Sequence, residues 1–90
     1  MGIGDRLEKK PVGRITHYFD KIGVAVIQLS GDLKKGDKLA IEGKSEPFEQ
    51  VVTSMQIERE EIPSAAAGQA IGMKMDKPVK EGDVVYLVTA

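Results

Sequence analysis

Turn-forming residues recur along this chain at intervals too short for a long helix. Gly31-Asp32, Gly36-Asp37, Glu42-Gly43, Glu46-Pro47, Pro63-Ser64, Gly68, Lys77-Pro78 and Gly82-Asp83 all read as turns or turn flanks. Between them lie short apolar runs rich in Val, Ile and Leu, the pattern of an all-β sandwich or barrel. Six strands are expected, over residues 12–19, 24–29, 38–41, 48–57, 70–75 and 84–88. The Gly36-Asp37 and Gly82-Asp83 pairs launch the third and the sixth.

The fourth of these has the clearest alternation. Val51, Thr53, Met55 and Ile57 share one face and are expected to meet the core; Val52, Ser54 and Gln56 share the other. In the fifth, Ile71, Met73 and Met75 fall on one face. The second, Val24-Ala25-Val26-Ile27-Gln28-Leu29, is apolar on both faces, so it is either covered on both sides or carries an exposed apolar pocket. Methionines 55, 73 and 75 are expected in the core, where their flexible thioethers fill irregular gaps. The best helix candidate, Ser64-Ala65-Ala66-Ala67 before Gly68, is too short to nucleate and reads as a loop with at most one helical turn. Residues 1–10 read as an N-terminal tail and 11–90 as one domain.

Composition narrows the function classes. Thirteen basic and 14 acidic residues give a net charge of -1, so overall charge offers no general attraction for nucleic acid. Cysteine is absent and His17 is the single histidine, which excludes disulfides and Cys- or His-rich metal sites. No cofactor is implied. No apolar run approaches the ~20 residues of a membrane span, and the start lacks the apolar stretch of a secretory signal. A cytoplasmic location is expected. The lack of Asn, Cys and Trp beside plentiful Lys and Glu fits a thermophile.

Catalytic patterns are missing. Gly43-Lys44-Ser45 has the ending of a phosphate-binding loop, but the glycine needed five residues earlier is Lys38, and Pro47 with a strand pattern follows where a helix should. A hairpin turn accounts for it. His17 has no marked nucleophile or orienting partner, and Glu60 and Glu61, adjacent on an extended chain, point to opposite faces. The chain is expected not to be an enzyme.

Three segments, in order, resemble the β-barrel second domain of translational GTPases such as elongation factor Tu. They are Ile22-Gly23-Val24-Ala25-Val26 with Gly31-Asp32-Leu33-Lys34-Lys35-Gly36-Asp37-Lys38-Leu39; Val52-Thr53-Ser54-Met55-Gln56 with Ala67-Gly68-Gln69-Ala70-Ile71-Gly72; and Val79-Lys80-Glu81-Gly82-Asp83-Val84-Val85-Tyr86. The resemblance implies a closed six-stranded antiparallel Greek-key barrel, a binding module without the GTP-binding domain. It also implies contact with a tRNA end or other RNA through a pocket near Phe19, Ala25, Gln56 and Arg59, with a local basic patch at Lys21, Arg59 and Lys74. Gln56 stands where elongation factor Tu has a glutamate, and Lys21 where the family commonly has a glycine.

A second resemblance rests on Val12-Gly13-Arg14-Ile15-Thr16-His17-Tyr18-Phe19, which is similar to accessory C-terminal modules of collagenase-like peptidases. It implies a free-standing version of such modules, some of which act with RNA-modifying systems; near-zero net charge separately favours a protein-interaction module that docks on a larger enzyme or a translation factor. The two resemblances leave RNA and protein as alternative partners.

Overall fold

The structure, a computed structural model, describes residues 8–44 and 46–89. It is all-β: ten strands and, among the described residues, no helix. The strands are β1 (Glu8–Phe19), β2 (Val24–Leu29), β3 (Leu33–Lys34), β4 (Lys38–Glu42), β5 (Phe48–Val51), β6 (Met55–Ile57), β7 (Glu60–Glu61), β8 (Ser64–Ala65), β9 (Ala70–Lys74) and β10 (Val84–Thr89). Eight of them form one antiparallel sheet in the order β5-β4-β10-β1-β2-β9-β6-β7, while β3 and β8 pair separately. β1 opens at Glu8, opposite Thr89; residues 1–7 of the expected tail lie outside the described residues.

The sheet is open, and this corrects the expected closed six-stranded barrel. The reason lies in the expected fourth strand, which breaks after Val51. Its first part, β5, pairs with β4, and its second part, β6, pairs with β9. At the break the backbone of Val52 is spent elsewhere: its N–H donates to Asp37 O (2.9 Å), and its carbonyl accepts Gly36 N–H (2.9 Å). No ladder therefore joins β5 to β9. A side chain spans the gap instead. Gln50, buried, donates from Nε2 to Lys74 O (3.0 Å) and accepts Asp76 N–H at Oε1 (2.8 Å). Both halves of its amide are satisfied, as a buried polar group requires.

The break also inverts the expected alternation. Gln50, Val52 and Met55 point inward, whereas Val51 and Thr53 are exposed. The three-residue step from Val52 to Met55 shifts the inward phase by one position, because a strand's side chains repeat every two residues.

Around this frame Ile15, Ile27, Leu39, Ile41, Met55, Ile71, Met73 and Val85 are almost wholly buried and form one cluster with Leu33 and Val52. Met75 joins them, so all three methionines singled out above are core residues. The alanine run forms no helical turn; Ser64 and Ala65 pair with Lys34 and Leu33 instead.

Three turns share one construction. In Lys34-Lys35-Gly36-Asp37 and Lys80-Glu81-Gly82-Asp83 the fourth residue's N–H donates to the first residue's carbonyl (3.1 Å in both). The Asp side chain in turn accepts the first residue's N–H (3.0 Å in both). The third position has φ of 93° and 94°, the left-handed value that a type II turn demands there and glycine supplies. Ala66-Ala67-Gly68-Gln69 repeats the arrangement with Gln69 Oε1 as acceptor (2.7 Å to Ala66 N). Asp83 does more than its counterparts: it is fully buried, and its Oδ1 also accepts Lys44 N–H (2.7 Å), tying the β4–β5 connection to the start of β10.

Candidate docking face

Alternation in β1, β2, β9 and β6 puts one set of side chains into the core and the other onto an outer face. Two cross-strand rows cover that face. One runs Phe19, Val24, Lys74; the next runs His17, Val26, Gly72, Gln56, Glu61. Their floor is apolar: Val24 and Val26 are half-buried, the outward apolar side of β2 noted in the sequence. Phe19 stands at one border, 47% exposed, its ring tilted 59° against His17 with centroids 4.4 Å apart. His17 Nδ1 lies 3.3 Å from Glu81.

After Phe19 the chain turns, with the N–H groups of Ile22 and Gly23 donating to Phe19 O (3.2 and 2.8 Å). This turn presents Lys21 and leaves Ile22 59% exposed. Lys74 Nζ reaches back to donate to Ile22 O (3.2 Å), fixing the turn over β9. Beside it, Val24, Ser54, Gln56, Gly72, Met73 and Lys74 line a shallow cavity of ≈ 140 Å³.

The structure thus brings Phe19, Gln56 and Lys74 to one side of the sheet, with Lys21 exposed in the turn that follows Phe19. Ala25 does not join them. It is fully buried, paired with Met73 and Tyr18 on the inward side, and cannot touch a ligand without unfolding the core. Arg59 sits at the tip of the β6–β7 hairpin, where Glu58 and Arg59 have φ of 52° and 69°. That pair of left-handed residues is the geometry of a two-residue type I′ turn, normally filled by Asn-Gly. Sequence reasoning missed Ile22 as a contact candidate; its signal was an apolar residue in a turn flanked by Lys21 and Gly23.

The electrostatics of the face are mixed. Lys21 follows Asp20, Arg59 is enclosed in sequence by Glu58, Glu60 and Glu61, and Lys74 precedes Asp76 by two positions. Among the described residues no cluster of His, Asp or Glu could hold a metal ion, and no helix is long and apolar enough to cross a membrane.

Comparison with known proteins bears on which resemblance holds. No family model matches the chain. An uncharacterized protease of Methanocaldococcus jannaschii is 40% identical over 88 residues, which is 97% of this chain but 22% of the protease. Two crystal structures of the C-terminal domain of a protein classed as a U32 peptidase from Geobacillus thermoleovorans superpose with TM-scores of 0.81 and 0.82. They are 23% and 22% identical in sequence. They cover 84% and 87% of this chain, and the chain covers 96% and 91% of them. The fold is that of this peptidase C-terminal domain. These findings support the peptidase-module resemblance carried by residues 12–19 rather than the one to translational GTPases. The chain spans about a fifth of the length of the curated relative it matches (22%).

Proposed function

We propose that this chain is a non-catalytic accessory module of a peptidase system, which docks on a protein through the outer face of β1, β2, β9 and β6. The observation that carries this reading is the exposed apolar border formed by Phe19 and Ile22 beside half-buried Val24 and Val26. Large apolar side chains exposed together mark an interaction surface more often than single scattered ones do. The relatives support the setting: a protease 40% identical over nearly the whole of this chain, and a peptidase C-terminal domain of the same fold.

An RNA partner draws less support from the face. Each candidate cation has a carboxylate within two residues, and the hairpin 58–61 carries three acidic groups against one arginine. A phosphate backbone would be repelled there about as much as attracted.

The test is calorimetric titration of the chain into a U32 peptidase trimmed of its own C-terminal domain, with the Phe19→Ser/Ile22→Ser variant beside it. Binding should appear with the native chain and weaken at least about tenfold, or ~1.4 kcal/mol, with the variant. A parallel titration with tRNA at low salt should give no heat. Salt-sensitive tRNA binding without peptidase binding would replace the proposal with the RNA alternative.

A further inference from the structure

On the outer side of β10, β1 and β2, one cross-strand row beyond the His17–Val26 row of the face just described, runs a groove of ≈ 590 Å³. Pro11, Val84 and Tyr86 give it an apolar wall, and Arg14, Thr16 and Gln28 line its polar side. We propose that this groove binds the C-terminal end of an apolar peptide, with Arg14 holding the terminal carboxylate.

Charge selects the ligand. Arg14 is the single charged residue in the lining, which contains no carboxylate. Its position is fixed by pairing, opposite Val84 on β10 and Gln28 on β2. Among the described residues no ion pair reaches it, although lysines 9, 34 and 38 are each paired with a carboxylate. Glu42 shares its cross-strand row, one strand beyond Val84. Glu42 accepts a hydrogen bond from Lys9 Nζ, and that bond raises the lysine's pKa above its ordinary value. The comparable groove near β3 and β8 contains Asp32 and Asp37, and both carboxylates accept backbone N–H groups. A guanidinium with no ion-pair partner among the described residues, beside an apolar wall, is complementary to a planar carboxylate joined to an apolar body.

Size and polarity narrow the ligand to a peptide end. The volume falls in the ~300–1,000 Å³ range of small-ligand sites, room for a few residues and not for a folded domain. Gln28 Nε2 is anchored on Gly68 O (3.2 Å) and Thr16 Oγ1 on Val26 O (3.3 Å). Both groups are therefore held in place at the groove, where peptide N–H and C=O groups need partners. Every cut made by a peptidase creates one new C-terminal carboxylate, so a peptidase-associated module would meet such ends. The source of the ligand rests on the peptidase setting proposed above, but the lining includes neither Phe19 nor Ile22, so a titration can fail at the groove without failing at the docking border.

The experiment is an amide-shift titration by NMR with N-acetyl-Ala-Phe as the free acid and, separately, as the C-terminal amide. The acid should move the resonances of Arg14, Val84 and Tyr86 with a dissociation constant of about 1 mM or tighter. The amide should bind at least about tenfold more weakly. Arg14→Gln, at an exposed position and so expected to fold, should abolish the preference for the acid, while Arg14→Lys should retain part of it. Equal binding of acid and amide would overturn the proposal, as would shifts confined to the Phe19 face or no binding at all. Inorganic phosphate moving the same resonances as strongly as the acid would also overturn it, assigning the groove to anions in general.

Discussion

At the scale of single residues, the three look-alike turns show how little sequence is needed to place a strand. Glycine fixes the sign of φ, and the next side chain folds back onto the first N–H. Nothing lies within 4 Å of a methyl group built on Gly36 or Gly82. Replacing either by alanine therefore costs conformational energy alone, about 1–2 kcal/mol in chemical denaturation. The two aspartates should differ. Asp37→Ala releases one N–H in a half-buried turn, for about 1 kcal/mol; Asp83→Ala strands two N–H groups around a buried site, for about 2–4 kcal/mol. The opposite sign is expected at the β6–β7 tip. Glu58→Asn/Arg59→Gly relieves two left-handed non-glycine residues and should raise stability by about 1 kcal/mol. The Gly-Asp turns were legible in the sequence because glycine and aspartate are their cause. The Glu58-Arg59 turn was not, because neither residue favours that conformation.

At the scale of elements, the expected strands 24–29, 38–41, 70–75 and 84–88 appear within a residue or so of where apolar runs placed them. The run 48–57 misled, since period-two alternation cannot show that Val52 bonds to a turn from elsewhere in the chain. Long-range hydrogen bonding decided that strand, and the two-residue strands β3, β7 and β8 are likewise too short to leave a pattern. Of the site, Gln56 and Lys74 were legible as outward positions from strand alternation, whereas Phe19, a large apolar residue more often found in a core, entered only through the resemblance. Ala25 was not, because an apolar strand alone does not reveal which of its faces is inward. Gln50 gives this scale its test. Gln50→Leu keeps the volume but leaves Lys74 O and Asp76 N without the amide, and should destabilise by about 1–3 kcal/mol. A loss confined to that range, with the sheet's other amides unchanged in NMR position, would match a local seam.

At the scale of the whole molecule, near-neutral charge and an apolar docking border predict a partner affinity that changes less than about threefold between roughly 50 and 200 mM salt, whereas nucleic-acid binding through several phosphates would fall by orders of magnitude. Isothermal titration at the two ionic strengths measures it. The interrupted 48–57 run has a further consequence. Outer strands ordinarily fray first, each independently, since a single neighbour holds them. Here one stretch of backbone serves as the margin beside β4 up to Val51 and, four residues on at Met55, as the neighbour of β9. Peeling on one flank therefore tugs on the other, and the Val52 amide should exchange with solvent as slowly as amides in the middle of the sheet.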